Sequence, residues 1–159
     1  KKKTKQSKMT EPADIDVRYA TEKDYNWLCL RDSRYVDTSW IKRCLDHQEY
    51  IIAVDEAGKI EPKGTALGYI RFSLFWGKIP YLDMIRVIEG HQRRGIGHAM
   101  FQFWQNEMKH KNHKILMTSS LQDELEPQTW HWKNGFRESG KLSLGSFDPK
   151  PEVFFIKEI

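Results

Sequence analysis

The sequence lacks long apolar runs, cysteine-based sites and internal repeats. No apolar stretch approaches the roughly 18 residues that a membrane-spanning helix requires, and no signal peptide is recognisable. Cys29 and Cys44 have neither metal-site nor redox-motif spacing, so reduced thiols are expected. His110 and His113 have no nearby thiols or acids and predict no metal site. We therefore expect a soluble, cytoplasmic protein without membrane partner or metal.

Beyond residues 1–8, the sequence has no excess of basic over acidic residues. The formal net charge is +4, but residues 1–8 carry five lysines and no acid. Removing these five from the 26 basic residues leaves 21 against 22 acidic ones. A nucleic-acid-binding module would be favoured only by this lysine tail, so we expect no nucleic-acid partner.

The size and composition are those of one globular domain. The chain has 159 residues, of which 39% are hydrophobic and 13% aromatic, enough to bury a sizeable core. We expect residues 1–13 to form a disordered basic tail and residues 14–159 to form a single domain. Composition leaves a monomer and a homodimer equally open.

Apolar patterning predicts seven strands and four helices. Strands are expected where apolar residues alternate or cluster between turn residues, at 16–20, 50–54, 66–75, 81–88, 114–119, 137–144 and 152–159. Helices are expected where apolar residues recur at helical spacing. They begin at Thr21, at Asp37, near Gly97 or His98, and at Asp123, and the last one stops at Gly135.

The stretch 90–97, Gly-His-Gln-Arg-Arg-Gly-Ile-Gly, joins a predicted strand to a predicted helix. The first N–H groups of a helix lack partners, and the helix dipole adds positive potential there. Gly95 and Gly97 would let a ligand approach the backbone closely, and each is expected to tolerate a left-handed conformation. Arg93 and Arg94 add fixed positive charge. The arrangement predicts an anion-binding site.

Two common phosphate-binding motifs fit this stretch badly. A Walker loop requires Gly-Lys-Ser/Thr at the helix start, but His98 and Ala99 follow Gly97 here. A dinucleotide-binding fingerprint requires a third small residue where Met100 stands.

The spacing Val87-x4-Gln92-x2-Gly95-x-Gly97 instead resembles the cofactor motif of the GNAT superfamily of N-acetyltransferases. The resemblance implies that this turn holds the pyrophosphate of acetyl-CoA. It also implies a mixed α/β fold: a mainly antiparallel sheet with one parallel β-α-β crossover and helices on both faces. The cofactor-binding residues that it implies are Ile85, Arg86, Val87, Gln92, Arg93, Arg94, Gly95, Ile96, Gly97 and His98. The Arg86 side chain could face either the cofactor groove or a solvated edge.

The second point of resemblance is weaker. Many GNAT enzymes have a Tyr four residues before the Gly-Phe pair that ends a short helix, placed to protonate the departing thiolate. Here the pair is Gly135-Phe136, and His131 stands where the Tyr would be. His131 could take over as proton donor, or it could be a half-exposed helix residue between two tryptophans. The family's usual acid is absent in either case.

Two carboxylates are further catalytic candidates. Acyl transfer to an amine requires a neutral amine, a polarised carbonyl and a departing thiolate. Asp83 or Glu89 could deprotonate the ammonium, directly or through water, although either could be an ordinary solvated carboxylate. Backbone N–H groups of Ile85 to Val87 could polarise the carbonyl if that strand separates from its neighbour.

The resulting hypothesis is acetyl transfer from acetyl-CoA to a primary amine of a small molecule or protein, directly within a ternary complex. The alternative is a non-catalytic acyl-CoA-binding or sensing domain, favoured by the missing Tyr. Helices within 22–49 and the turn at 75–77 would flank the acceptor. They contain aromatic and acidic residues suited to a cationic amine, namely Trp27, Tyr35, Trp40, Asp32 and Asp37. The same residues could equally well form core and surface.

Overall fold

The computed structural model describes residues 15–159. These residues form seven strands and four α-helices. The strands are β1 (Asp16–Tyr19), β2 (Tyr50–Asp55), β3 (Thr65–Phe75), β4 (Ile79–Val87), β5 (Ile115–Leu121), β6 (Arg137–Leu142) and β7 (Glu152–Glu158). The helices are α1 (Tyr25–Asp32), α2 (Thr38–Asp46), α3 (Ile96–His110) and α4 (Leu125–Lys133), and a short 3-10 helix (Glu22–Asp24) precedes α1. The predicted division into a tail over 1–13 and a domain over 14–159 stays a prediction, because residues 1–14 lie outside the described residues.

All seven strands form one mixed sheet in the order β1-β2-β3-β4-β5-β7-β6. Within the described residues, β4 and β5 are the single parallel pair, and α3 connects them. A parallel pair requires such a crossover, whereas the antiparallel pairs β2–β3 and β3–β4 follow directly along the chain. The predicted fold class is confirmed.

Helices cover both faces of the sheet, and each face has its own core. On one face, Phe101, Trp104 and Met108 of α3 are buried at the predicted helical spacing. On the other face, Leu28 of α1 and Ile41 of α2 pack against β2 and β3. The central strands therefore lie between two apolar layers.

Several element ends differ from the predicted ones by up to two residues. β5 continues to Leu121 because Leu121 pairs with Glu152 at the start of β7. β6 ends at Leu142 because its pairing with β7 stops at the same Glu152. β4 begins at Ile79, which pairs with Phe75 across the turn. Pairing partners set these ends, and local patterning does not reveal them.

Candidate active site between β4 and β5

A cleft opens where the parallel strands β4 and β5 separate. The two strands pair only at Tyr81 with Met117 and Leu82 with Thr118, although β4 continues to Val87. The cleft contains two adjoining cavities of about 560 Å³ and 520 Å³. Both are lined by Ile85, Val87, Gln92, Glu126, Pro127 and His131. Cavities of this size accommodate small-molecule ligands.

The separation leaves backbone N–H groups of β4 directed into the cleft. The Ile88 N–H donates to the Leu67 carbonyl of β3 at 2.8 Å. Hydrogen-bonding direction alternates along an antiparallel strand. The N–H groups of Ile85 and Val87 therefore point away from β3, toward the side where β5 has departed. These are donors of the kind that can polarise a carbonyl oxygen.

The turn after β4 forms a cradle of free N–H groups. Arg93 (φ 60°) and Gly95 (φ 79°) adopt left-handed conformations, and α3 begins at Ile96. Within residues 15–159, the N–H groups of positions 92–95 donate to no backbone carbonyl, and the first helical bond behind them is from Ala99 to Gly95. This arrangement matches the anion-binding geometry of a helix N-terminus.

Side chains around the turn add charge and shape. Arg93 and Gln92 line the cleft, and Arg94 and His98 are exposed nearby. Gly95 adopts a left-handed conformation, whereas Gly97 does not, because Gly97 already lies inside α3. A Cβ at Gly97 would meet Val87 Cγ2 at 3.6 Å and Ile85 Cδ1 at 3.9 Å. Gly97 therefore lies against the cleft wall without backbone strain.

The Arg86 side chain lies on the other face of β4. Ile85 and Val87 face α3, so Arg86 between them must project toward α1 and α2. It donates a hydrogen bond to the Tyr35 hydroxyl, and its guanidinium lies 5.4 Å from the centre of the Tyr35 ring. Arg86 is exposed, so of the two positions left open by the sequence the structure favours the solvated one.

Asp83 occupies an irregular position in β4. Arg71 of β3 pairs with Met84 and Phe72 pairs with Leu82, so Asp83 is the extra residue of a β-bulge. Bulges redirect side chains and often lie beside active sites. The Asp83 carboxylate accepts a hydrogen bond from Ser73 Oγ at 3.1 Å and lies 3.8 Å from Arg71 Nη1. Burial raises the pKa of Asp83 to about 6, although Arg71 and Ser73 oppose the shift.

A buried polar network lies behind Asp83. Asp32 is fully buried and accepts hydrogen bonds from Arg71 Nε at 2.8 Å, from Tyr69 Oη at 2.9 Å and from Tyr50 Oη. Arg71 therefore connects Asp32 to Asp83. Of the residues expected to contact an acceptor, Tyr35 lines the larger cavity, whereas Asp32 is enclosed in this network. Arg71, a charged residue inside the apolar strand β3, is the feature of the sequence that could have indicated this network.

His131 is buried, with 5% of its surface exposed, so the interpretation of a half-exposed helix residue was wrong. The reason is that α4 turns this side chain inward against Trp130, Phe136 and Phe155, whose ring centres lie 5.7, 6.0 and 4.9 Å away. Neither ring nitrogen makes a hydrogen bond within the part of the chain that the structure describes. Burial lowers the pKa of His131 to about 4, partly opposed by the nearby Ser119 backbone. The imidazole is therefore neutral at physiological pH.

Glu89 lies apart from the other two catalytic candidates. It is exposed and lines a smaller cavity of about 180 Å³ on the α1 side of β4. Asp83 and His131 instead line the larger cavity together. The structure therefore brings two of the three candidates into one space.

A second polar chain, not predicted from the sequence, borders the larger cavity. Tyr81 Oη and Ser119 Oγ are hydrogen-bonded, and Ser119 Oγ donates to Glu152. The chain joins β4, β5 and β7, so its members are far apart in sequence. No local spacing connects them.

Two features are absent from residues 15–159. No group of three His, Cys, Asp or Glu residues could hold a metal ion. None of the helices in this part of the chain has the length and apolar content to cross a membrane. A cytoplasmic location stays a prediction.

Comparison with known proteins places this geometry in a family. The acetyltransferase (GNAT) family model matches residues 15–136. An acetyltransferase of the GNAT family from Bacillus cereus ATCC 10987 superposes with a TM-score of 0.71 at 19% identity, over 91% of this chain and 96% of that one.

Two further structures are similar at lower identity. Ard1 from Thermoplasma volcanium gives a TM-score of 0.76 at 14% identity, over 92% of this chain and 98% of that one. The NatC complex bound to Gag peptide and CoA contains a chain with a TM-score of 0.75 at 12% identity, over 92% and 99% of the two chains. None of the curated proteins matches the sequence.

Proposed function

Because the chain belongs to the acetyltransferase (GNAT) family, we propose that it transfers the acetyl group of acetyl-CoA to a primary amine directly, within a ternary complex. The observation that carries the proposal is Asp83, a carboxylate with a pKa of about 6 in the cleft where β4 separates from β5. Such a group is ionised at neutral pH and poised to accept a proton.

The residues around the turn fit acetyl-CoA. The free N–H groups at positions 92–95 and at the start of α3 suit a pyrophosphate, and Arg93 and Arg94 supply matching charge. Ile85 and Val87 offer an apolar wall, and their N–H groups face the cleft. The bound thioester would supply an activated acetyl group. The chain's own contribution on this side is binding and carbonyl polarisation.

Asp83 would prepare the acceptor. A primary amine is mostly protonated at neutral pH and attacks only as the free base. An acceptor ammonium in the larger cavity would transfer its proton to Asp83, directly or through one water molecule. Arg71 and the Asp32 network behind it fix the position of this carboxylate. Glu89, in its separate cavity, is the less well placed base.

His131 would contribute as a neutral side chain. It lines both cavities of the cleft and has no protein partner for its ring nitrogens within residues 15–159. A neutral imidazole can donate one hydrogen bond to a departing sulfur, but it is a weak proton donor. Thiolates leave fairly well because thiol pKa values are near about 8.5. Transfer therefore does not require a strong acid at this position.

The alternative function is a non-catalytic acyl-CoA-binding or sensing domain. The observation favouring it is the absent Tyr, because a neutral, buried His131 is a poor substitute for an acid. Under this alternative the protein would bind CoA without releasing thiol.

The decisive experiment measures thiol release from acetyl-CoA in the presence of a panel of primary amines. Mass spectrometry then identifies the products. Calorimetric titration with CoA is run on the same preparation. We expect CoA binding and at least one product heavier by an acetyl group. CoA binding without any acetylated product across small amines and peptide N-termini would establish the sensing alternative.

A further inference from the structure

The cavity that contains Glu89 is lined by three arginines. Its volume is about 180 Å³, and it lies against the end of β4 on the face turned to α1. Arg31 lies in the last turn of α1, Arg34 follows that helix, and Arg86 comes from β4. Glu89 is the one carboxylate among the residues lining this cavity. The formal charge of the lining is therefore +2.

Within residues 15–159, none of the three arginines forms an ion pair. In this part of the chain no carboxylate oxygen lies within 4.0 Å of their guanidinium nitrogens, whereas Arg18, Arg43, Arg71 and Arg137 each have such a partner. Their neighbours are aromatic instead. Arg31 lies 5.8 Å from the Trp27 ring centre, and Arg34 and Arg86 lie 5.9 and 5.4 Å from that of Tyr35. The rings orient the guanidiniums without removing their charge.

Helix ends alone do not explain this arrangement. The C-terminus of α1 favours a cation, which accounts for Arg31 and Arg34. Arg86 comes from a strand, yet its guanidinium lies over the same Tyr35 ring as that of Arg34. Glu89 offsets one of the three positive charges around this small cavity, and the remaining charge of +2 is unfavourable unless a further anion shares the cavity. Guanidinium groups match carboxylate and phosphate oxygens in geometry as well as charge.

The larger cavity of the cleft has the opposite charge. Four carboxylates line it, against the single guanidinium of Arg86: Asp83, Glu124, Glu126 and Glu152. Arg86 and Val87 line this cavity and the arginine-lined one alike, so the two spaces adjoin. A molecule that extends across Arg86 would thus meet negative potential at one end and positive potential at the other.

We propose that the acceptor is an amine that also carries an anionic group, a carboxylate or a phosphate. The ammonium lies beside Asp83, and the anionic group lies among Arg31, Arg34 and Arg86. This inference rests on the proposed acetyl transfer and specifies its substrate class. Asp83 and Arg86 are three positions apart on one strand, about 10 Å along its axis. The amine and the anion are therefore separated by several bonds.

The first test compares matched amines by calorimetry on the CoA-saturated protein. The probes are 5-aminopentanoate, its amide 5-aminopentanamide, 3-aminopropyl phosphate and 1,5-diaminopentane. We expect at least one of the two anionic amines to bind about tenfold or more tightly than the amide and the diamine, as charge-assisted hydrogen bonds predict. The stronger of the two identifies the anion as carboxylate or phosphate. Equal affinity for the acid and the amide, or tightest binding of the diamine, would overturn the proposal.

The second test asks whether the preference for the anionic amine depends on the arginine-lined cavity. In the double variant Arg31→Gln/Arg34→Gln, the preference for the anionic amine over the amide should disappear. Both side chains are exposed, so the fold should persist, and thermal unfolding checks this. The matched control is Arg137→Gln, which removes an equally exposed arginine on the edge strand β6 and should keep the full preference. A preference that survives in the double variant overturns the assignment of this cavity.

Acetylation in the same samples separates this inference from the proposed function. Discrimination between the acid and the amide without any acetylated product would leave the anion site standing and overturn acetyl transfer. Acetylation of acid and amide with equal kcat/KM would leave acetyl transfer standing and overturn the anion site.

Discussion

The turn after β4 and the surroundings of Asp83 both border one cleft, but they are formed by different kinds of contact. The turn takes its free N–H groups and arginines from positions 92–98, which adjoin in sequence. Asp83 takes its properties from Arg71 and Ser73 of β3 and from Asp32 and Glu49 farther away. The first region is determined by local conformation, and the second by packing between distant segments. The predictions below test each region separately.

The largest expected effect is in the turn. Gly97→Asp should abolish CoA binding, because it places bulk and negative charge at the helix N-terminus that would receive the pyrophosphate. Calorimetry with CoA measures this. An affinity within twofold of wild type would falsify the pyrophosphate assignment.

The control for this prediction is Gly97→Ala. The added Cβ would make ordinary contacts with Val87 and Ile85 at 3.6 and 3.9 Å, and alanine favours the helix. Its melting temperature should equal or exceed that of wild type. CoA affinity should fall far less than in Gly97→Asp, so that a loss shared equally by both variants would indicate steric exclusion rather than charge.

The next largest effect is expected at Asp83, the proposed base for the acceptor amine. Asp83→Asn should lower kcat/KM by about 10²–10⁴-fold, the usual range for a general base, while CoA affinity stays unchanged. In wild type, log kcat/KM should fall below about pH 6, where Asp83 becomes protonated. Stopped-flow thiol release across pH 5–8 measures both.

Glu89→Gln is the matched control, since it neutralises the other candidate carboxylate. Its kcat/KM for a small amine without an anionic group should stay within about threefold of wild type, as for most surface substitutions. If Glu89→Gln loses activity and Asp83→Asn retains it, the base assignment is reversed.

This comparison also explains what the sequence could and could not predict. The strand, the turn and the start of α3 were predictable because Gly95 and the apolar spacing of Phe101 and Trp104 act locally. The fold class was implied by the family resemblance of this turn, with which the order of the elements agrees. The pKa of Asp83 was not predictable, because its bulge arises from pairing with β3 and the burial that raises its pKa arises only in the folded structure.

The same reasoning applies to His131. Its place in the cleft was indicated by its distance from Gly135 and Phe136, but its burial against Phe155 of β7 was not. The sequence therefore indicated where the side chain lies and left its ionisation open.

A smaller effect is expected at His131. His131→Ala should lower the transfer rate constant by about tenfold, below the upper range for a general acid, because a neutral imidazole donates a hydrogen bond and not a proton. Acetyl-CoA affinity should be nearly unchanged. Single-turnover kinetics provides the rate. A value within threefold of wild type would make the residue structural, and a loss beyond a hundredfold would make it the principal proton donor.

The smallest expected effect is the net pH dependence that His131 and Asp83 together give to the free energy of unfolding. His131 has a folded-state pKa below its ordinary value of 6.5, so its contribution is present above pH 6.5 and is lost as the pH falls toward 4. Asp83 has a folded-state pKa above its ordinary 3.8, so its contribution is present below pH 3.8 and is lost as the pH rises through 6. Between pH 7 and pH 5, linkage predicts a loss of roughly 2 kcal/mol from His131 and a gain of roughly 1 kcal/mol from Asp83.

The two contributions nearly offset each other in the wild-type protein, so single variants should separate them. Asp83→Asn should be more stable than wild type at pH 7, since it removes a buried charge, and should lose more stability than wild type on acidification to pH 5. His131→Gln should instead gain stability over the same interval, because only the Asp83 contribution remains. Urea unfolding of the three proteins at pH 7 and pH 5 measures the differences. Identical pH dependence in all three would mean that neither side chain has the shifted pKa that its burial implies.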